Sequence, residues 1–218
     1  MVTGMTNFIP IFPLNLVLFP GEKLNLHVFE PRYKQLIKEC VLENKPFGIP
    51  AVVEKAPLEL GTLTRVKEVV QEYDNGELDI RTEGESVFRV LTVVKEVPDK
   101  LYSGAIVSYP QNSMERNDSR IAAVIYQEVR RLYTLMNVED KLPKDKPEIT
   151  SYDIAHFVGL SLRQEYDLLG LFSETERLEY LRRHLKELAP IVQELETMKE
   201  RIKRNGHFRD LSLRDFNL

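Results

Sequence analysis

FPLNLVLFPGEKLNLHVFEPRYKQL, Phe12 to Leu36, changes its period part-way through. Leu24, Leu26 and Val28 alternate with Asn25, His27 and Phe29, behind the turn signal Pro20-Gly21. Period two after a turn predicts a half-buried strand over 23–29, with the leucines and Val28 facing inward. At Glu30-Pro31 the period lengthens. Tyr33, Leu36, Ile37, Cys40 and Val41 recur at the spacing of one helical face, and Pro31 suits a first helical position, where no N–H is needed. The stretch therefore encodes a strand feeding directly into an amphipathic helix.

Beyond it, residues 47–110 read as β-rich. Candidate strands are Phe47–Val53, Leu63–Tyr73, Glu77–Thr82, Val87–Val94 and Leu101–Tyr109. Asn75-Gly76 marks a tight hairpin of the primed type, and Gly61 and Gly84 mark turns or bulges. Short, closely spaced strands with one early helix predict a small, partly closed barrel rather than a βαβ fold. After Pro110 the pattern becomes helical: Ile121, Val124, Ile125, Val129, Leu132, Leu135 and Met136 form a stripe. A charged, Pro-bearing linker follows over Lys141–Glu148. Three helix starts carry capping pairs, Thr150 with Asp153, Ser161 with Gln164 and Ser173 with Glu176. From Leu178 to Ile202 apolar residues alternate three and four apart, broken by Lys199. This seam reads as the core face of a long helix in its own bundle, or as a face for a partner or a second copy. Pro190 lies within it and predicts a kink or break, which favours local packing. We expect a barrel domain over 1–112 and a helical domain over 113–218.

Composition narrows function mainly by exclusion. The 218 residues are 43% hydrophobic and 29% charged, with a net charge of -4. That charge gives no general pull toward nucleic acid or an anionic membrane. Six Lys or Arg cluster between Lys199 and Arg214, a pattern read first as a solvated helix end and second as a polyanion contact. One cysteine precludes an internal disulfide and fits a reducing, cytoplasmic setting. The interrupted apolar opening makes a poor signal peptide, and no run approaches the ~20 apolar residues of a membrane span. The four histidines are scattered, so no metal site or cofactor is expected. Dinucleotide-binding, P-loop and nucleophile-elbow motifs are absent. Cys40, on the helical stripe, reads as a buried small hydrophobe rather than a nucleophile.

IPIFPLNLVLFPGEKLNLHVFEPRYKQLI, Ile9–Ile37, resembles the opening of the Lon protease amino-terminal domain, and is more similar still to its stand-alone form, with Phe29-Glu30-Pro31-Arg32-Tyr33 as the strand-to-helix junction. The similarity continues through Leu60-Gly61-Thr62, Asn75-Gly76, Glu83-Gly84 with Arg89, and Glu176-Arg177-Leu178-Glu179-Tyr180-Leu181, covering Ile9 to about Arg204. It implies an α+β fold, a PUA-like pseudo-β-barrel followed by a C-terminal α-helical bundle. It also implies capture of unfolded or degron-bearing polypeptide, in concert with a protease or chaperone. The chain has no Walker loop and no Ser-Lys protease domain, so we expect a non-catalytic recognition module, an adaptor in protein quality control. RNA binding is the alternative, since PUA-like barrels occur in RNA-modifying systems; weak self-association through the late seam is a further expectation. Phe29, Arg32 and Tyr33 form the candidate partner-binding corner. The bland reading makes Tyr33 core and Arg32 a solvated helix-start residue, although an Arg in a first turn runs against the helix dipole.

Overall fold

In the computed structural model the described residues are 7–54, 56–115, 119–136, 138, 139, 142 and 149–205. Two compact units emerge, Met1–Ser113 with Leu162–Phe172, and Met114–Ser161 with Ser173–Leu218. The first holds an antiparallel sheet. Its strands are β1 (Asn7–Pro10), β2 (Lys23–Val28), β3 (Phe47–Val53), β4 (Ala56–Glu72), β5 (Leu78–Val94) and β6 (Gly104–Ser108). The order is β1-β6-β5-β4-β3, with β2 pairing β5 off that path. Just after β1, Ile11 bridges Gly48 and Leu14 bridges Ala51 in parallel, so the chain that leaves one end of the sheet returns to β3 at the other. The sheet thereby closes on itself. Phe12 N–H donates to Gly48 O at 2.8 Å and Val52 N–H to Leu14 O at 2.8 Å along that closure.

The change of period in the opening stretch appears as expected. β2 buries Val28, half-buries Leu24 and Leu26, and exposes Asn25 and His27. Helix α1 (Pro31–Leu42) starts with Pro31 and buries Tyr33, Leu36, Ile37 and Cys40. Val41 departs from the expected stripe and is 44% exposed. The helix ends in a Schellman arrangement. Asn44 adopts a positive φ of 51°, Lys45 N–H reaches Cys40 O at 2.9 Å, and Asn44 N–H reaches Val41 O at 3.3 Å. Against the buried face of α1 lie Phe12, Leu18, Val28, Phe47, Ile49, Leu78, Ile80 and Tyr102, the main core of this unit. A second cluster, Ile9, Ile11, Phe88, Ala105 and Val107, fills the sheet beside β6.

Two expectations about the strands are corrected. The segments 77–82 and 87–94 are one continuous strand of 17 residues, β5, paired along its length with the equally long β4. Gly61 and Gly84 sit inside these strands rather than at turns. A Cβ on Gly61 would lie 2.4 Å from Ile49 O, and one on Gly84 would lie 2.5 Å from Phe19 O, so both are close backbone approaches. Both adjoin an irregularity in the pairing, Gly84 at the register shift between Leu63 and Thr64 and Gly61 at the shift between Pro50 and Val52. The hairpin turn is where Asn75-Gly76 places it, but its type differs. Gly76 alone has positive φ, 77°, and its N–H bonds Tyr73 O at 2.8 Å, the pattern of an ordinary turn followed by a glycine bulge.

The second unit contains α2 (Ser119–Met136), α3 (Ser151–Ile154) continuing into a 3-10 turn (Ala155–Phe157), and α5 (Glu174–Asn205). Helix α4 (Leu162–Leu169) belongs with the sheet, where Leu60 N–H donates to Tyr166 Oη at 3.2 Å. The Thr150–Asp153 pair forms a capping box at α3. α4 begins directly after Ser161, and α5 directly after Ser173. In α2 the buried face is Ala122, Ile125, Tyr126 and Val129, while Val124, expected inside, is 60% exposed. α5 runs unbroken through Pro190. Pro190 and Lys186, whose carbonyl loses its helical donor, are both exposed, so water can accept the lost bond's role. Along the seam Leu178 and Leu181 are buried, and Leu185, Leu188, Val192 and Leu195 are half-buried. Arg131 of α2 reaches Glu196 of α5 at 2.6 Å. The Lys141–Glu148 linker (Leu142 apart), the Ile202 side chain and most of the basic end fall outside the described residues.

Candidate functional site

β4 and β5 stay paired from Glu72–Leu78 as far as Leu60–Arg89, and there they part. Before Leu60, β4 pairs with β3 through Pro57–Val52 and Ala56–Val53. Beyond Arg89, among the described residues β5 pairs with β6 alone, across a register shift between Val90 and Thr92 that leaves Leu91 as an extra residue. An open groove of about 590 Å³ lies where the strands separate. Pro57, Leu58 and Glu59 line one wall and Val90, Leu91, Thr92, Val93 and Lys95 the other; Ile11, Pro13, Pro50, Ser103, Arg32 and Tyr33 complete it. The lining is chiefly aliphatic. Leu91 and Val93 are 51% and 46% exposed, so the surface is apolar and open to solvent.

The candidate corner divides at this groove. Tyr33 is 7% exposed and stacks on Phe12, centroids 3.8 Å apart and planes 16° from parallel. Burial raises its phenol pKa, and the neighbouring Arg32 works against that rise. Arg32 lies over the Tyr33 ring at 4.5 Å and pairs with Glu30 through Nη2 at 2.7 Å and Nε at 2.9 Å. That pairing answers the adverse dipole at the helix start. Both residues line the groove.

Phe29 does not. It is 59% exposed and sits beside His27, ring centroids 6.1 Å apart. His27 Nδ1 lies 2.7 Å from Asp79 Oδ1 and Nε2 lies 3.3 Å from Glu77. Tyr73 Oη donates to Asp79 Oδ2 at 2.7 Å and meets the imidazole edge-on. The hydrogen bond to Asp79 is the main reason the His27 pKa is raised. Bonds from Tyr73 and then His27 lower that of Asp79. This second aromatic patch was not legible as a cluster, because β2 and the β4–β5 hairpin are some fifty residues apart in sequence.

The end of α1's polar side is also pinned. Desolvation pushes the Glu39 carboxyl up, but hydrogen bonds from Lys100, Tyr102 and Gln35 outweigh it and leave the pKa lowered. Cys40 beside it is 5% exposed, and burial pushes its thiol up to about 12, so it stays protonated and unreactive. A small cavity of about 100 Å³ near Cys40 is far below ligand size. Among the described residues no group of three or more His, Cys, Asp or Glu could hold a metal, and no helix is long and apolar enough to cross a membrane.

A model of the ATP-dependent protease La (LON) substrate-binding domain matches residues 9–187. The chain belongs to the LON substrate-binding domain family. Among solved structures it is similar to the Lon N-terminal domain protein from Xanthomonas campestris. That likeness has a TM-score of 0.60 and 24% identity, and covers 81% of this chain and 98% of that one. It is also similar to the N-terminal domain of the Mycobacterium avium complex Lon protease, with a TM-score of 0.57 and 15% identity over 82% and 97% of the two chains. At these identities the structures speak for the fold. The LON-type sheet with its following helices is the architecture expected from the sequence.

Proposed function

We propose that this LON-family chain is a non-catalytic recognition module that takes apolar segments of unfolded polypeptides into the groove between β4 and β5. The carrying observation is the groove itself, an exposed, mostly aliphatic cleft in a domain whose family is defined by substrate binding. Tyr33 forms an aromatic wall, and Arg32, Lys95 and Glu59 contribute charged groups of both signs to the lining. Such a surface suits an adaptor that presents polypeptide to a protease or chaperone, in a reducing cytoplasm consistent with one buried thiol. Phe29 stands outside the groove, and its contact role is a separate proposal tied to the His27 patch.

Anisotropy titration of a labelled, permanently unfolded polypeptide (reduced and alkylated lactalbumin) tests the reading, with a labelled single-stranded RNA alongside. Polypeptide binding should survive moderate salt, because apolar burial is not screened. Leu91→Asp should weaken it about tenfold or more by placing a charge on the apolar wall. Salt-sensitive RNA binding with no polypeptide binding would overturn the proposal.

A further inference from the structure

The groove has a feature that apolar lining alone does not describe. Its β5 wall is a strand edge. Val90–Val94 pair with β6 on one side, and on the other β4, before Leu60, pairs with β3 instead. No backbone hydrogen bond links these residues to β4 or to a loop among the described residues. A strand with one side unpaired offers a row of N–H and C=O groups at regular spacing, and another extended chain is their natural complement. In the lining opposite, Pro57 and Pro50 lack N–H groups. The β5 wall thus offers an unpaired backbone edge, and the wall opposite presents the side chains of Pro57, Leu58 and Glu59.

We infer that the occupant is an extended polypeptide strand, added to the open edge of β5 at Val90–Val94, with alternate side chains directed onto Tyr33, Pro50, Pro57 and Leu58. This deepens the recognition reading above and rests on it. Main-chain pairing supplies affinity that is indifferent to sequence, while alternation of side chains supplies a preference for apolar residues at every second position. A module that accepts many unfolded chains needs that combination. The edge is short, carries the bulge at Leu91 and ends at Lys95, features that keep an open edge from recruiting further copies of the same sheet. A helical ligand would satisfy its own backbone and leave the β5 edge unused.

The experiment uses the full chain and a fluorescein-labelled peptide of alternating leucine and serine. Two isomers are prepared, N-methylated at the leucines or at the serines. A strand paired on one side uses every second N–H, so one isomer should bind about tenfold or more weaker than the parent and the other within about threefold. Hydrogen exchange at amides within 90–94 should slow when the parent peptide is added. If both isomers bind like the parent, or both weaken equally, and no amide in 90–94 is protected, strand addition is wrong. Recognition at the groove would then still stand, provided Leu91→Asp abolishes parent binding. If neither the peptide nor unfolded lactalbumin binds, the recognition reading fails and this inference with it.

Discussion

The same three residue types meet twice in this chain. In the sheet unit Arg32 pairs with Glu30 and lies 4.5 Å over the Tyr33 ring. In the helical unit Arg177 pairs with Glu174 at 2.9 Å and lies 4.3 Å over the Tyr152 ring. Burial separates them. The side chains of Arg32 and Glu30 are 52% and 40% exposed, whereas those of Arg177 and Glu174 are wholly inaccessible. Arg177 also donates to Ser151 Oγ at 2.9 Å and to Met114 Sδ at 3.1 Å, while Glu174 accepts from Ser151 N–H and Oγ–H. The buried trio ties the starts of α3 and α5 to the segment around Met114. The exposed Arg32–Glu30 pair holds little together, and Arg32 is left available at the groove. Identical chemistry thus becomes architecture in one place and surface in the other.

The largest effect should come from the buried trio. Arg177→Ala leaves the Glu174 carboxylate sealed without its partner, which costs about 3–5 kcal/mol. Urea unfolding followed by far-ultraviolet dichroism should show the loss, confined to the helical transition if the two units melt separately. A smaller loss would mean that water enters and the site is less sealed than the geometry indicates. Next comes Tyr33, the one member of the exposed trio that is itself buried. Tyr33→Ala removes the stack on Phe12 and should cost about 3 kcal/mol, whereas Tyr33→Phe keeps the ring and should stay within about 1 kcal/mol. Equal effects would show that the hydroxyl, not the stacked ring, holds that corner.

These two trios also show how far the sequence could be read. Tyr33 was legible as core because it opens a stripe at helical spacing, while Phe29, on the polar face of its strand, read equally as a second packing contact or an exposed aromatic, and the structure exposes it. Arg177 was not legible as core. In Glu176-Arg177-Leu178 it reads as an ordinary charged helix residue, and only long-range packing against Tyr152 and Ser151 encloses it. The groove was hidden for a related reason. Its walls come from the chain near Ile11, Tyr33, Pro50, Leu58, Leu91 and Ser103, and no local pattern joins them. Leu91 gives no bulge signal in the run Val90-Leu91-Thr92-Val93-Val94, because a bulge reflects the pairing of two strands and not the sequence of one.

The exposed pair should behave as its accessibility dictates. Arg32→Ala should change stability by no more than about 0.5 kcal/mol, since a solvated ion pair contributes little. Its effect on unfolded-polypeptide binding should be a few-fold loss from the groove rim, read in the same anisotropy titration. Phe29→Ala, with its ring on the other patch, should leave both quantities nearly unchanged. A large stability loss in Arg32→Ala would erase the distinction between the two trios.

The smallest effect concerns the His27 patch, which couples β2 to the β4–β5 hairpin by charge rather than by burial. His27 has its pKa raised above the ordinary 6.5, chiefly by the hydrogen bond to Asp79. Its contribution is therefore fully present below 6.5 and is lost as pH rises through the raised folded-state value. Asp79 has its pKa lowered below the ordinary 3.8, chiefly by Tyr73 and then His27. That contribution is present above 3.8 and is lost as pH falls through the lowered value. The patch should thus favour the folded sheet most between these limits. Comparing unfolding midpoints at about pH 5.5 and about pH 8.5, the native chain should lose slightly more stability on going to the higher pH than His27→Asn does. Asp79→Asn should flatten the same difference, because without the carboxylate His27 has lost its principal reason to hold a proton. Parallel pH profiles for all three proteins would show that solvent screens the patch completely, leaving Phe29 and Tyr73 as the features of that surface with any role to test.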